Sequence, residues 1–566
     1  MVGPAEPALW HWHPVVLDTA ASSVERGLAP AMNVVNFALM TSVPPRGGGA
    51  MSAFEIVHQD RIVGKLTCFD RMIFKGHLSR LYQPGGMKAF LDSQHVLLKH
   101  FGTYVKRVTE ELKAHAKHLA EDAGRPYLYL AENHTKAKGR SKEDVARDIA
   151  ARDGVHSGLV CVLSTVEPCT SFAVAGNRVT HRLEIARRRR KCLHLYFYFV
   201  HRELGLCHLR LQTWFPFEVQ IWANGREALA RSLDRRRIPY LRHANAFLRV
   251  GDWAVAQRLA DQLARRRWPR LLDHMAREVN PHLRTLARTG FGGYYWVADQ
   301  VEVATDVAFR SRPALEGILP QLFSHAAQAF SAEDVLRFLG RKLHPALAAE
   351  VRSDARRRPE GWRVKHRMGR NSIKCCDKVS LLRGETTIND PAQFRVLRLK
   401  DGRRQWCPMR KGVANLPRYL QVGSGANERY LEALASAGDN RDGVAALDRL
   451  CRPRRNRGRR HARFNPVSGR DLAAFRAVMA GEHSIVGFRN AYISKRLWPL
   501  FPGDPDEARR RCAQVSRLIA KLRGHGLVAK VPRHNLYRVT AYGHRVLSAA
   551  ISVHDLRFPT AYATAA

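Results

Sequence analysis

Acid is what this chain has least of. Across 566 residues it carries 50 Asp plus Glu against 94 Lys plus Arg, a formal charge of +44. That shortage counts against an acidic solvating protein, a Ca²⁺-binding protein and an ordinary metabolic enzyme. None of the ten cysteines forms a C-x-x-C pair, so a structural zinc ribbon is not expected. Without a secretory signal, a chain of this length does not need a disulfide framework, and the thiols read as reduced and cytoplasmic. Long apolar runs are also missing. The uncharged stretch 27–45 is broken by Pro30, Asn33, Asn36, Pro44 and Pro45, which argues against a membrane helix. No P-loop, no G-x-G-x-x-G after a strand and no H-E-x-x-H occurs, which removes ATP-driven and zinc-protease chemistry.

What is present is ample apolar material, 45% hydrophobic and 8% aromatic residues, enough for several folded cores. A folded protein this cationic is expected on a polyanion, and nucleic acid is the commonest one. Residues 1–50 differ from the rest, and Met51 reads as the natural start after a disordered or untranslated leader. The only His-hydrophobe-His triplet, His11-Trp12-His13, falls in that leader.

From 51 to 240 the pattern is mixed α/β. Phe54–Leu66 and Tyr127–Leu130 read as strands, and Gly86–His118 has helical periodicity. Ser141 to Asp144 resembles a capping box opening a helix to about Arg152. Gly158–Thr165 is a short apolar run typical of a buried strand, so strand, helix and strand predict a βαβ unit. Leu193–Val200 and Leu206–Trp214 predict a hairpin, followed by a strand at Phe217–Trp222 and a helix from Arg226. Arg187–Lys191 is a run of five cations before the aromatic strand LHLYFYF. Its aromatics alternate onto both faces, which favours core packing over a stacking platform for single-stranded nucleic acid. Residues 241–450 read as a second α+β domain, with helices around 254–288 and 313–349 and strands at Tyr294–Phe309 and Ser372–Ile388. No internal repeat is visible. Residues 452–463 hold seven Arg and no acid, which predicts a linker at 451–466 that could also hold phosphate through Arg454, Arg455, Arg459 and Arg460.

Beyond the linker, residues 467–556 predict helices from Asp471 and near Gly487–Trp498. A third opens at Asp504-Pro505-Asp506-Glu507 and carries Val515, Leu518, Ile519 and Leu522 as one buried stripe. Gly524 and Gly526 end it, and a small hairpin and a last helix from Ala541 follow. The string LIAKLRGHGLVAKVPRHNLYRVTAYGHRVL resembles the third helix, wing and following helix of MarR-like winged helix-turn-helix domains. The resemblance implies a helix in the major groove of double-stranded DNA and a wing on an adjacent groove or backbone. By position it implies Arg510, Arg511, Gln514, Arg517 and Lys521 on the recognition helix, with Arg533 and His534 at the wing tip.

Two body strands concentrate ionisable groups. Carboxylates on core strands are costly to bury unless paired or metal-bound. Asp299, Asp306 and Glu385 are the candidate set for Mg²⁺ or Mn²⁺, against the simpler expectation of salt bridges with the surplus Arg and Lys. The order D-x6-D, then N-x-I-K-x-x-D-K, then L-R-x-E, also resembles the body of some plasmid and phage replication initiators. The chain departs from them with Cys376 where a tyrosine is common, and with no His pair outside the leader, so no nicking tyrosine is named. The combined expectation is a mixed α/β (α+β) multidomain body with a C-terminal winged helix, in a DNA-binding protein of a mobile or plasmid-like element. The rival expectations are a non-enzymatic transcriptional regulator and an RNA-binding protein.

Overall fold

The computed structural model describes residues 52–554 apart from 132–139, 329, 342–350, 359–360, 401, 436–446, 457, 481–482, 484–486, 501 and 533. The leader with its His-Trp-His triplet, Met51 and Arg533 therefore lie outside the described residues.

Apart from a separate hairpin of Arg395–Lys400 with Arg403–Pro408, the described residues of the body hold thirteen strands: β1 (Ile62–His77), β2 (Tyr127–Tyr129), β3 (Gly158–Asn177), β4 (Arg182–His201), β5 (Gly205–Gln212), β6 (Val219–Asn224), β7 (Tyr240–His243), β8 (Ala246–Val250), β9 (Tyr295–Phe309), β10 (Val351–Arg358), β11 (Gly361–Met368), β12 (Asn371–Lys378) and β13 (Leu381–Ile388). β7 and β8 form their own hairpin. The other eleven make one sheet in the order β10-β11-β12-β13-β9-β1-β6-β5-β4-β3-β2. Every neighbouring pair is antiparallel except β2 and β3, where Tyr127 faces Val162 in a parallel register. The expected βαβ unit is there, with its helix Lys142–Arg152 capped reciprocally by Ser141 and Asp144.

β1 lies at the centre of the sheet, and most of its residues from Leu66 to Phe74 are buried because layers cover both faces. The first segment, however, is a helix and not a strand. Ser52 and Glu55 make a capping box that opens Ala53–Val57, and the strand begins only at Ile62. β3 and β4 pair along their whole length, and β4 continues into β5 as the expected hairpin. Tyr196 and Tyr198 pack under the helix Lys142–Arg152, while Leu195, Phe197 and Phe199 fill the opposite core. These rings are therefore core residues, not an open stacking platform.

The sheet contains a repetition of topology that the sequence does not display. In the first half, β1 is followed by helices, then by the meander β3-β4-β5-β6, whose last strand returns to pair with β1. In the second, β9 is followed by helices, then by β10-β11-β12-β13, whose last strand returns to pair with β9. Each half closes with a helix across its first strand, Gly225–Asp234 on β1 and Leu416–Leu434 on β9. Gly423 lets the second of these lie close, since a Cβ there would collide with Val303. Its Asn427 then reaches the Val303 carbonyl at 2.9 Å. β1 and β9 join the halves antiparallel at the centre. Residues 51–240 and 241–450 thus share one sheet and one continuous core from Phe54 to Ala435, and do not form two separate domains.

The C-terminal unit has its own core, from Leu450 and Phe464 to Ala550. Its helices are Gly469–Val478, Asn490–Leu497, Pro505–Gly524 and Ala541–Ser552, with the hairpin Val528–Lys530 and Tyr537–Val539 between the last two. Phe488, between the first two helices, adds a bridge to Tyr537. Residues 452–463 are not an extended linker. Arg454–Asn456 pairs with Arg459–His461 as a hairpin docked on the end of the long helix. There Arg454 and Asn456 donate to the His525 and Gly524 carbonyls at 2.8 and 3.3 Å, satisfying helix-end acceptors and opposing the negative pole of the dipole. Gly524 makes room for the His461 ring, where any Cβ would overlap it.

Candidate functional site

At the seam between the halves, β1 carries a bulge. Phe69 pairs with Val303 and Met72 with Val301, leaving Asp70 and Arg71 opposite Glu302. Glu302 in turn lies diagonal to Glu385, because Thr387 pairs with Glu302 and Glu385 with Ala304. Carboxylate oxygens of Asp70, Glu302 and Glu385 lie within 4.8 Å of one another, and all three residues are buried. They sit in a cleft of about 740 Å³.

Each acid is held differently. Asp70 accepts from Asn245 at 2.8 and 2.9 Å, from Asn224 at 3.1 Å and from Arg383 at 3.1 Å. Burial opposes its charge, but the guanidiniums of Arg383 and Arg226 outweigh that and hold its pKa below the ordinary value. Glu302 is pushed up to about 7 by burial and by the neighbouring Glu385 charge. Its hydrogen-bond donor is Gln300 at 2.9 Å. Glu385 pairs with Lys374 at 2.5 Å. Burial weakens the Lys374 ammonium, yet the Glu385 charge more than compensates and holds it protonated. Asn245 comes from the two-residue β7–β8 turn, where Ala244 takes φ 50, a left-handed conformation costly for a residue with a Cβ.

Three hard oxygen donors in mutual reach suit Mg²⁺ or Mn²⁺, and the raised Glu302 pKa registers a repulsion that a cation would relieve. The hydrogen bonds from Asn224, Asn245 and Arg383 would orient Asp70 toward such an ion. The triad could therefore hold a metal.

Of the three acids expected from the sequence, only Glu385 belongs to this cluster. Asp306 is fully buried and gives both oxygens to arginine: Arg226 at 2.6 Å and Arg383 at 2.6 and 3.0 Å. Held by two guanidiniums, it lies outside the acid cluster. Asp299 lies in a β9 irregularity and pairs with Lys411 at 2.6 Å and Lys75 at 3.2 Å. Asp70, Glu302 and Lys374 complete the site. A charged pair inside the apolar strand text CFDRMIF was the available signal for Asp70, since such a pair is costly in a core without partners.

On the C-terminal unit, Arg510, Gln514 and Arg517 form one exposed row at i, i+4 and i+7 of the long helix. Arg511 instead folds back on Glu507 at 2.5 Å and the Leu500 carbonyl at 2.7 Å. Lys521 stacks 3.8 Å over the Phe464 ring near Asp471, so it is drawn away from the open face. His534 is exposed at the hairpin tip, and Arg455, Arg459 and Arg460 are exposed on the docked hairpin. Among the described residues, no helix is long and apolar enough to cross a membrane. No protein-family model, no curated protein and no solved structure matches this chain.

Proposed function

We propose that this chain is a DNA-binding protein of a mobile or plasmid-like element, a replication, transposition or maintenance factor. In this reading its C-terminal unit selects a duplex site, and its central acidic cluster acts on a phosphodiester. The observation that carries the reading is the C-terminal order helix, bridge, helix, long helix, hairpin, helix, with Arg510, Gln514 and Arg517 aligned on the long helix. That order is the one a winged helix uses, and Arg and Gln are the side chains suited to base edges. The docked arginine hairpin would add affinity that does not depend on sequence.

In the body, Asp70, Glu302 and Glu385 would hold the metal, and Lys374 and Arg71 would meet the phosphate oxygens. A divalent ion bound there supplies charge neutralisation for phosphoryl transfer. Glu302, with a pKa near 7, is poised to take or give a proton at neutral pH. The internal pairing of Glu385 with Lys374 and of Asp70 with Arg383 favours a second reading, a non-enzymatic transcriptional regulator whose acids are structural.

Two measurements decide between these. The double variant Arg510→Ala/Arg517→Ala should bind a selected duplex at least about 30-fold more weakly, at roughly 1–3 kcal/mol for each of the two base-edge contacts. Unchanged duplex affinity would refute the recognition role. Supercoiled DNA with Mg²⁺ or Mn²⁺ should be nicked by the native chain and not by Glu302→Gln. Intact plasmid under both metals would leave the regulator as the function.

A further inference from the structure

The strands beyond Glu385 carry a surface that neither the helix nor the acid cluster accounts for. Direct cross-strand partners share a face of the sheet, and the register places three rows of residues on the face that holds the acids. Arg356, Arg363 and Cys376 lead to Arg383, Asp354, Lys365 and Lys374 lead to Glu385, and Arg352, Arg367 and Ser372 lead to Thr387 beside Glu302. Arg358 adds to this face at the end of β10. On the opposite face Val364, His366 and Met368 of β11 and Ile373 of β12 are buried, while Trp362 at the start of β11 and Ser353, Ala355 and Arg357 of β10 are exposed.

The three strands thus place eight cations on one face, the exposed Arg352, Arg356, Arg358 and Arg367 and the half-buried Arg363, Lys365, Lys374 and Lys378, against a single acid of their own, Asp354, which Arg356 and Arg363 bridge at 3.0 and 3.1 Å. A merely solvated strand face usually mixes its signs, because like charges opposite one another repel. Partial burial, with the charges of Arg367, Lys374 and Arg363, holds the Lys365 ammonium below its ordinary range. Trp362, 49% exposed, stands at the rim of the same cleft.

We propose that the open face of β10–β12 is a track for the phosphodiester backbone of single-stranded DNA, leading one strand to Asp70, Glu302 and Glu385. This rests on the reading of those acids as a phosphodiester site. A single strand is the fitting form, because carboxylates this buried can be reached by one backbone and not by an intact duplex. Trp362 offers an aromatic face for an unpaired base at the entrance, a contact that tolerates any sequence.

The test uses the full chain, labelled oligodeoxythymidylate and a salt titration. The variant Arg352→Gln/Lys365→Gln/Arg367→Gln changes partly or fully exposed side chains, and its melting temperature should match the native one. Its plot of log affinity against log salt should be shallower by about 2, at about 0.7 per lost phosphate contact, with binding about tenfold weaker. Trp362→Ala should weaken binding without changing the slope, since stacking displaces no counterions. Arg510→Ala/Arg517→Ala should keep the native slope on this probe, so failure of the duplex-reading helix would show separately, on duplex alone. An unchanged slope in the triple variant overturns the track.

Discussion

Glu302 and Asp306 stand four residues apart on one strand face, yet they impose opposite demands on the protein. For Glu302 the folded state raises the pKa from 4.5 to about 7, so between those values the native chain holds a proton that the unfolded chain has released. Its contribution to stability therefore falls as pH rises from about 5 to 7, by at most about 3 kcal/mol. Urea unfolding should show Glu302→Gln gaining on the native protein between pH 5 and pH 8, and millimolar Mn²⁺ should narrow that gap at pH 8. A constant difference across pH would contradict the raised pKa. Asp306 is different. Removing its charge strands Arg226 and leaves Arg383 with Asp70 alone in a fully buried setting, and Asp306→Asn should cost about 3–5 kcal/mol in the same assay. Loss of any activity in that variant would report the fold and not a metal ligand.

At the scale of elements, the readable segments were those whose signal is local. The Ser141–Asp144 capping box, the β4–β5 hairpin and the stripe Val515, Ile519 and Leu522 each need only neighbours in sequence to be recognised. Ser52 to Glu55 carries the same capping signal, but the apolar text after it imitates a strand. The acidic site was illegible for a different reason. It is assembled by a bulge in β1 and by the β9–β13 register, and neither follows from periodicity, so nothing local set Glu302 above Asp299 and Asp306. Element pairing also creates one chemical opportunity. Cys169 on β3 and Cys192 on β4 bring their sulfurs to 3.3 Å. The hydrogen bond with Cys192 lowers the Cys169 pKa and favours its thiolate. Hydrogen peroxide should convert Cys169 to a sulfenic acid, which the Cys192 thiol then displaces as water to give a disulfide. Maleimide counting after oxidation should fall by two thiols, and Cys169→Ser should abolish that fall. If both sulfurs still label, the pair is inert.

For the whole molecule, the separate C-terminal core sets where the chain can be divided. Leu450 and Phe464 belong to that core and the arginine hairpin packs on the long helix, so a cut inside 452–463 should damage the unit it was meant to release. A chain ending at 446 should keep a cooperative melt and lose duplex site selection, whereas retained selection would move recognition into the body. The body itself should not divide at 240, since the sheet crosses that point and the acid cluster takes Asp70 from one half and Glu302 and Glu385 from the other.

The central position of β1 also has a consequence in time. Among the described residues it is the first strand to be made, and its two edges stay open until β6 and then β9 have followed it. Phe74 waits for Ile221, and Leu66 waits for Asp306. Until then an apolar strand with two unpaired edges is exposed to any other nascent chain. Synthesis of this protein should therefore depend on holding chaperones, and its refolding from denaturant should be slow and sensitive to concentration, because its central strand pairs only with segments about 150 and 230 residues further along the chain.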